Sequence, residues 1–278
     1  MSRKSARINN IVVISDMHCG CQLGLCPDEV ALDGGGTYHS SKLQKVVYGW
    51  WQEFWNDHVP KATRGEPFIV VNNGDALEGC HHGSTTQISH NLKDQRAIAR
   101  ELLEPVVKAC KGFYWHVRGT EAHVGPSAEH EEELARSLGA LRLDGQASQQ
   151  EVNIELGNHS INFMHHISTS TSPFARTGAL QREITNHYVE VGKWGDKAYS
   201  MLVRGHRHTH DEISHRSNRG KVTVVTMPAW QLKGSYVYKI GSRMTQPEIG
   251  GLVIRLADDE LFTRPFVKRI QPPKVVSV

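Results

Sequence analysis

Residues 8–18 read INNIVVISDMH, and this stretch decides how the rest of the chain is read. The unbroken apolar, β-branched run Ile11 to Ile14 has the length and composition of a strand buried on both faces. It runs straight into Asp16-Met17-His18. Side chains alternate along an extended chain, so Asp16 and His18 leave the end of that strand on one side. The same grammar recurs further on. Residues 68–78 read FIVVNNGDALE, 113–123 read FYWHVRGTEAH, 161–166 read INFMHH and 201–208 read MLVRGHRH. Each is an apolar run that ends on carboxylates or imidazoles. Ligands of open α/β sheets gather at the carboxyl ends of strands. Clusters far apart in sequence can therefore meet in space.

The segments between these strands have helical periodicity. In 40–59 the residues Leu43, Val46, Val47, Trp50, Trp51, Phe54 and Trp55 follow the i, i+3, i+4, i+7 rule, with Ser40 or Ser41 as a cap. Further helices are expected over 95–111, 128–137 and 180–191. The first half thus alternates strand and helix, the signature of a largely parallel sheet. The second half is richer in strands, expected over 152–156, 160–164, 201–204, 222–226, 251–256 and 262–267. Gly157-Asn158 signals a hairpin turn. The fold class read from this order is α/β, a four-layer α/β/β/α sandwich of two packed mixed sheets flanked by helices. It forms one domain over 1–270, followed by an extended tail over 271–278.

The side-chain chemistry points to metal. Carboxylates mixed with imidazoles make an O/N donor set, which suits transition ions better than calcium or magnesium. A lone Asp can bridge two cations, and two ions about 3.5–4 Å apart can activate water and clamp a phosphoryl oxygen.

The order D-x-H, G-D-x-x-D/E, a third glycine loop ending in His, a later His and then G-H-x-H resembles the calcineurin-like metallophosphoesterases from Ile11 to about His208. The resemblance implies that Asp16, His18 and His208 serve one ion. It implies that Asp75 bridges, that His206 and the later His serve the second ion, and that His165 rather than His166 is that later ligand. The superfamily's third motif is G-N-H, whereas this chain has Gly119-Thr120-Glu121-Ala122-His123. The Asn ligand is missing. Glu121 is the expected substitute, with Thr120, or no residue, as the alternatives. His123 is the displaced general acid. G-T-x-x-H loops of this form resemble those of phage-borne members. The implied cofactors are two divalent transition metal ions, manganese first, with iron, zinc or nickel also suited. The implied reaction is phosphoester hydrolysis by a metal-activated hydroxide. The expected substrate is a phosphodiester, with nucleic acid as one candidate. A phosphomonoesterase, or a metal-binding scaffold without turnover, is the alternative. Glu78, the last acid of the second motif, reads as a carboxylate behind the ligands.

Composition narrows the setting. The chain has 278 residues, a net charge of +3 and 17 His. That charge permits a phosphate-bearing partner without arguing for one. No apolar run reaches the length of a membrane span, and the basic N-terminus lacks the apolar core of a signal peptide. An odd number of Cys, three of them crowded at 19, 21 and 26, argues against a disulfide framework, so a reducing cytoplasm is expected. Arg204, Arg207, Arg216, Arg219 and Lys221 flank the G-H-x-H loop and are candidates for phosphate-backbone contact.

Overall fold

The computed structural model describes residues 8–81, 83–168, 176–218, 220–234 and 246–270. The tail over 271–278 lies outside the described residues. Among the described residues no helix is long and apolar enough to cross a membrane.

Strand β1 (Asn10–Ile14) runs through the middle of a six-stranded sheet. It pairs in parallel with β4 (Phe68–Asn73), which continues to β5 (Tyr114–Val117) and β6 (Ser148–Gln149). On its other side lie the antiparallel β12 (Ile249–Ala257) and β13 (Glu260–Lys268). The second sheet has the order β10 (Asp211–Ser217), β11 (Gly220–Thr226), β9 (Met201–Arg204), β8 (His159–Met164), β7 (Val152–Leu156). A small hairpin of β2 (Glu29–Ala31) and β3 (Thr37–His39) stands apart.

The apolar run that decided the reading is indeed buried on both faces. Ile11 and Val13 enter the core between the sheets, against Ile154, Phe163, Met201 and Val225. Val12 and Ile14 face the opposite way, into the core under the helices. Those helices are α1 (Lys42–Glu53), α2 (Val59–Thr63), α3 (Leu92–Ala109) and α5 (Glu129–Ser137), with the one-turn α4 (Glu121–Val124) beside them. On the outer face of the second sheet, Leu202, Val222 and Val224 pack on Ala179, Leu180 and Ile184 of α6 (Gly178–Trp194). The four layers expected from the sequence are therefore present.

Three differences have physical causes. The helix expected over 40–59 begins at Ser41, whose capping box with Gln44 fixes its start. It then passes through a π-helical turn, Phe54–His58, in which Val59 N–H reaches back to Phe54 O. Pro60 has no N–H to give to Asn56, so the regular ladder cannot run through. The second difference is β10, a strand not anticipated because its polar sequence DEISHRS lies at a sheet edge with one mostly exposed face. The third concerns the turns, since a loop longer than two residues was open to the Gly157-Asn158 hairpin. The β7–β8 loop is only Gly157-Asn158, and β12 turns into β13 through Asp258 and Asp259, both with positive φ.

Candidate metal centre

Strands β1, β4, β8 and β9 all deliver their carboxyl ends to one place. Asp16 N–H donates to Gly74 O at 2.9 Å, His18 N–H to Asp75 O at 3.0 Å, and Gly205 N–H to His165 O at 2.9 Å. The backbone bends sharply there. Asp16, His18, Asp75, His206 and His208 all have φ between 47° and 68°. Side chains rarely occupy this left-handed region, and each such residue costs about 1–3 kcal/mol. Two glycines let the loops approach. A Cβ at Gly119 would sit 1.9 Å from Asp75 Oδ1, and one at Gly74 would sit 2.6 Å from His165 Nδ1.

The expected residues fall into two groups, each with donor atoms within 4.8 Å of one another: Asp16, His18 and His208, and Asp75, His165 and His206. Two more groups overlap or adjoin them: His18, Asp75 and His123, and Glu78, His81 and His123. His208 Nε2 lies 3.2 Å from Asp16 Oδ1 and 3.3 Å from His18 Nε2. His165 Nε2 lies 2.9 Å from Asp75 Oδ2 and 3.8 Å from Asp16 Oδ1. Asp16, Asp75, His18 and His165 are all buried. His166 is outside the groups, its ring 5.1 Å from that of His206.

The imidazole hydrogens show how these rings are aimed. His18 Nδ1 faces Glu78 Oε2 at 3.1 Å, His165 Nδ1 faces Asn73 O at 2.7 Å, and His123 Nδ1 faces Glu78 O at 2.6 Å. Each of these oxygens accepts, so each Nδ1 carries the hydrogen, and in the neutral rings Nε2 is left as a lone pair. When neutral, the three rings would direct their lone pairs into a buried space that already holds two carboxylates. A converging set of lone pairs and carboxylates fits bound cations. The oxygens behind the rings are the partners that fix metal-ligating imidazoles.

Protonation reflects the same crowding. Burial resists charge on Asp16, but His165 and His208 outweigh it and hold the carboxyl below its usual range. Asp75 is likewise driven low, against burial, by His165 and His123. His165, against the pull of burial, is pushed up to about 10 by Asp75 and Asp16. His206 goes the other way, to about 4, through burial and the neighbouring His165. Burial also lowers His123.

The third motif is built differently from its expectation. Thr120 N–H donates to Asp75 Oδ1 at 2.7 Å, and its hydroxyl lies 3.1 and 3.2 Å from the two oxygens of Asp75. Thr120 therefore holds the central carboxylate. Glu121 opens α4, is exposed, and is in none of the four donor groups. His123 has its Nε2 4.0 Å from Asp75 Oδ2 and its ring edge-on to both His18 and His81.

Glu131 was not singled out from sequence. It is fully buried on α5, and its carboxylate accepts from Ala76 N at 2.6 Å and Gly119 N at 2.8 Å, tying the second motif to the third. The available signal was its spacing from Leu134 and Leu138, which puts an acid on the apolar stripe of that helix. Arg204 is buried and paired with Glu183 and Asn162, so it is not a free phosphate contact. Arg216 and Lys221 face each other across the exposed β10–β11 hairpin, and Arg219 is outside the described residues. Cys19, Cys21 and Cys26 are buried thiols, and no donor group among the described residues includes a cysteine.

Two packed mixed sheets, with these motifs in this order at their strand ends, decide the fold. In sheet topology and motif order the chain resembles the calcineurin-like metallophosphoesterases. No protein-family model and no curated protein matches it. Among solved structures it is similar to a metallophosphoesterase from Sphaerobacter thermophilus, at 13% identity over 92% of this chain and 88% of that one, with a TM-score of 0.41. It is also similar to Vacuolar Protein Sorting 29 from Cryptosporidium parvum, at 13% identity over 94% and 98%, with a TM-score of 0.38. A third is a conserved uncharacterized protein of Streptococcus pneumoniae TIGR4, described as a predicted phosphoesterase, at 12% identity over 94% and 98%, with a TM-score of 0.35. Likeness at this level carries nothing about substrate.

Proposed function

We propose that this protein is a hydrolase of phosphoester bonds that works with two divalent metal ions, and that its substrate is a phosphodiester. The observation that carries the reading is the pair of donor groups, Asp16/His18/His208 and Asp75/His165/His206, each a carboxylate with two imidazoles. Asp75, within reach of His18 and His123 as well as His165 and His206, is the proposed shared carboxylate. Ions held there would supply an activated water and neutralise charge on the phosphoryl oxygens. Manganese is the first candidate for a mixed O/N set of this kind, ahead of iron, zinc and nickel.

The chain's own residues do the rest. Glu78 and Asn73 orient His18 and His165 through their Nδ1 hydrogens. Thr120 orients Asp75. His123 is the proposed proton donor to the leaving oxygen. In the resting site burial keeps its ring neutral. An arriving phosphate anion beside Nε2 favours the charged ring, which then has a proton to give. Glu121 is left out of the proposed ligand set because it is exposed beyond the donor groups. The diester preference rests on the basic balance of the chain, since the exposed Arg216 and Lys221 lie near the β10–β11 turn, at the opposite end of β11 from Thr226 and the carboxyl end of β9.

The test is metal analysis of protein loaded with Mn²⁺, together with turnover of bis(p-nitrophenyl) phosphate and p-nitrophenyl phosphate. Two ions per chain and faster hydrolysis of the diester are expected. One ion or none removes the two-metal reading. Two ions without turnover of either ester leave a metal-binding scaffold instead.

A further inference from the structure

Strand β10 is the outermost strand of the second sheet, and among the described residues no strand pairs with its free edge. Such an edge is a row of unmet N–H and C=O groups, which a solitary chain guards with charge, proline or a bulge. The sequence of β10, DEISHRS, has no proline. Its register with β11 runs unbroken from Asp211 to Ser217, so no bulge interrupts it. Its charges are the remaining guard, and their order decides whether they repel a second copy or fit one.

Contacts fix the two faces of the strand. Glu212 accepts from Thr263 Oγ1 of β13 at 2.7 Å, so Glu212, Ser214 and Arg216 lie on the face toward the first sheet. Ile213 packs with the α6 cluster and His215 lies against Tyr188, so these two lie on the helix face. Arg216 is exposed and stands directly opposite Lys221 of β11. Like charges in that position repel. Among the described residues neither of them has an ion pair. One end of the edge thus carries a basic pair without an acid, and the other carries the exposed acid Glu212. On the helix face Ile184, Tyr188, Val189, Ile213 and His215 line an open groove of about 760 Å³, and Val189 is 58% exposed there.

We infer that β10 pairs antiparallel with β10 of a second copy of this chain, about a twofold axis at Ser214. That register sets Glu212 of each copy opposite Arg216 of the other, and Ile213 of each opposite His215 of the other. Opposed side chains stay on one face, so the two five-stranded sheets join into one. The charges select this register. A slip of two residues either way separates both ion pairs, and a slip of four sets Glu212 against Glu212 or Arg216 against Arg216. The acid of one copy answers the basic pair of the other. The two grooves come side by side across the axis, and the exposed Val189 of each copy gains cover. The contact is isologous and therefore closes as a dimer.

Sedimentation equilibrium of the full-length, metal-loaded protein between about 1 and 200 µM tests this, the range in which modest interfaces assemble. A reversible monomer–dimer equilibrium is expected, weaker at about 1 M salt, where exposed ion pairs are screened. Glu212→Arg sets arginine against arginine at both pairs, and Arg216→Glu sets glutamate against glutamate. Each variant alone should weaken the dimer by about tenfold or more. An equimolar mixture of the two variants is complementary again at both pairs, and native mass spectrometry should find a heterodimer close to the original strength. The doubly exchanged chain, Glu212→Arg with Arg216→Glu, should recover its own dimer, which also establishes that neither exchange unfolds the protein. The inference is overturned if the unaltered protein is monomeric throughout this range or grows beyond a dimer. It is equally overturned if either single variant dimerises as well as the unaltered protein, or if the mixture and the doubly exchanged chain stay monomeric.

Discussion

The two candidate donor groups have the same composition, one aspartate and two histidines, yet they are held in different ways. His18 leans on a side chain. Its Nδ1 faces Glu78, whose carboxylate also lies within 3.3 Å of His81 Nε2 and Gln231 Nε2. His165 leans on the main chain, through the carbonyl of Asn73 at the end of β4. One support is a flexible, exchangeable acid, and the other is part of the sheet itself. The support behind His18 can therefore be altered by a side-chain substitution, whereas that behind His165 cannot.

The largest effect is expected where the two groups meet. Asp75→Asn keeps the shape and removes the charge, so turnover should fall to background while both ions bind more weakly. Loss of only one ion would show that Asp75 serves a single group. Next comes His123→Ala, which should lower kcat by about 10²–10⁴-fold on a diester with a poor leaving group, the usual worth of a positioned proton donor. With nitrophenolate leaving, no proton is needed and the loss should shrink. Equal losses on both substrates would make His123 a ligand, as its place in a donor group with His18 and Asp75 allows.

Glu78→Gln addresses the difference in support directly. Removing an oxygen that orients a metal-ligating histidine typically costs 10–100-fold in affinity or activity. The loss should fall on the ion of Asp16, His18 and His208 and spare the other. Two ions weakened equally in a metal titration would erase the distinction between the groups.

Proton release sharpens it further. His165 in the metal-free site is pushed up to about 10, against burial, by Asp75 and Asp16. A raised histidine is charged below that pH and must lose its proton before Nε2 can ligate. Affinity at the second group should therefore climb with pH, about tenfold per unit per proton displaced, and level off near 10. Calorimetry in two buffers of different ionisation enthalpy reads the proton count, and a count of zero at pH 8 breaks this account. For the metal-free fold the sign is opposite. The raised pKa adds stability that is complete below the ordinary histidine pKa near 6.5 and is lost as pH rises toward 10.

Much of this was legible before the structure. Ile11 to Ile14 announced a doubly buried strand because four consecutive apolar residues have no solvent face to spare. That Asp16, His18, Asp75, His165, His206 and His208 would be brought together was readable because each follows such a strand. What was not legible depends on distance through space. Glu131 looks like its neighbours in EHEEEL until its carboxylate is seen between Ala76 and Gly119. Glu121 carries the right chemistry at nearly the right place, but the one-turn helix that begins there leaves it exposed. Strand β10 was hidden by its polar edge.

The smallest effect expected is that of Thr120→Val. Valine matches threonine in shape and keeps the backbone N–H that lies 2.7 Å from Asp75 Oδ1, so only the hydroxyl bond is lost. A single hydrogen bond to a charged group is worth about 1.5–3 kcal/mol, and the surviving N–H limits the movement of the carboxylate. The loss of metal affinity should therefore be about threefold to tenfold, with little change in thermal stability. Its distribution matters more than its size. Glu78 acts behind one ligand of one group, whereas Thr120 acts behind the carboxylate proposed to serve both, so Thr120→Val should weaken the two ions together. If it weakens only the ion of His165 and His206, then Asp75 does not bridge, and the site is two neighbouring metal positions rather than one dinuclear centre.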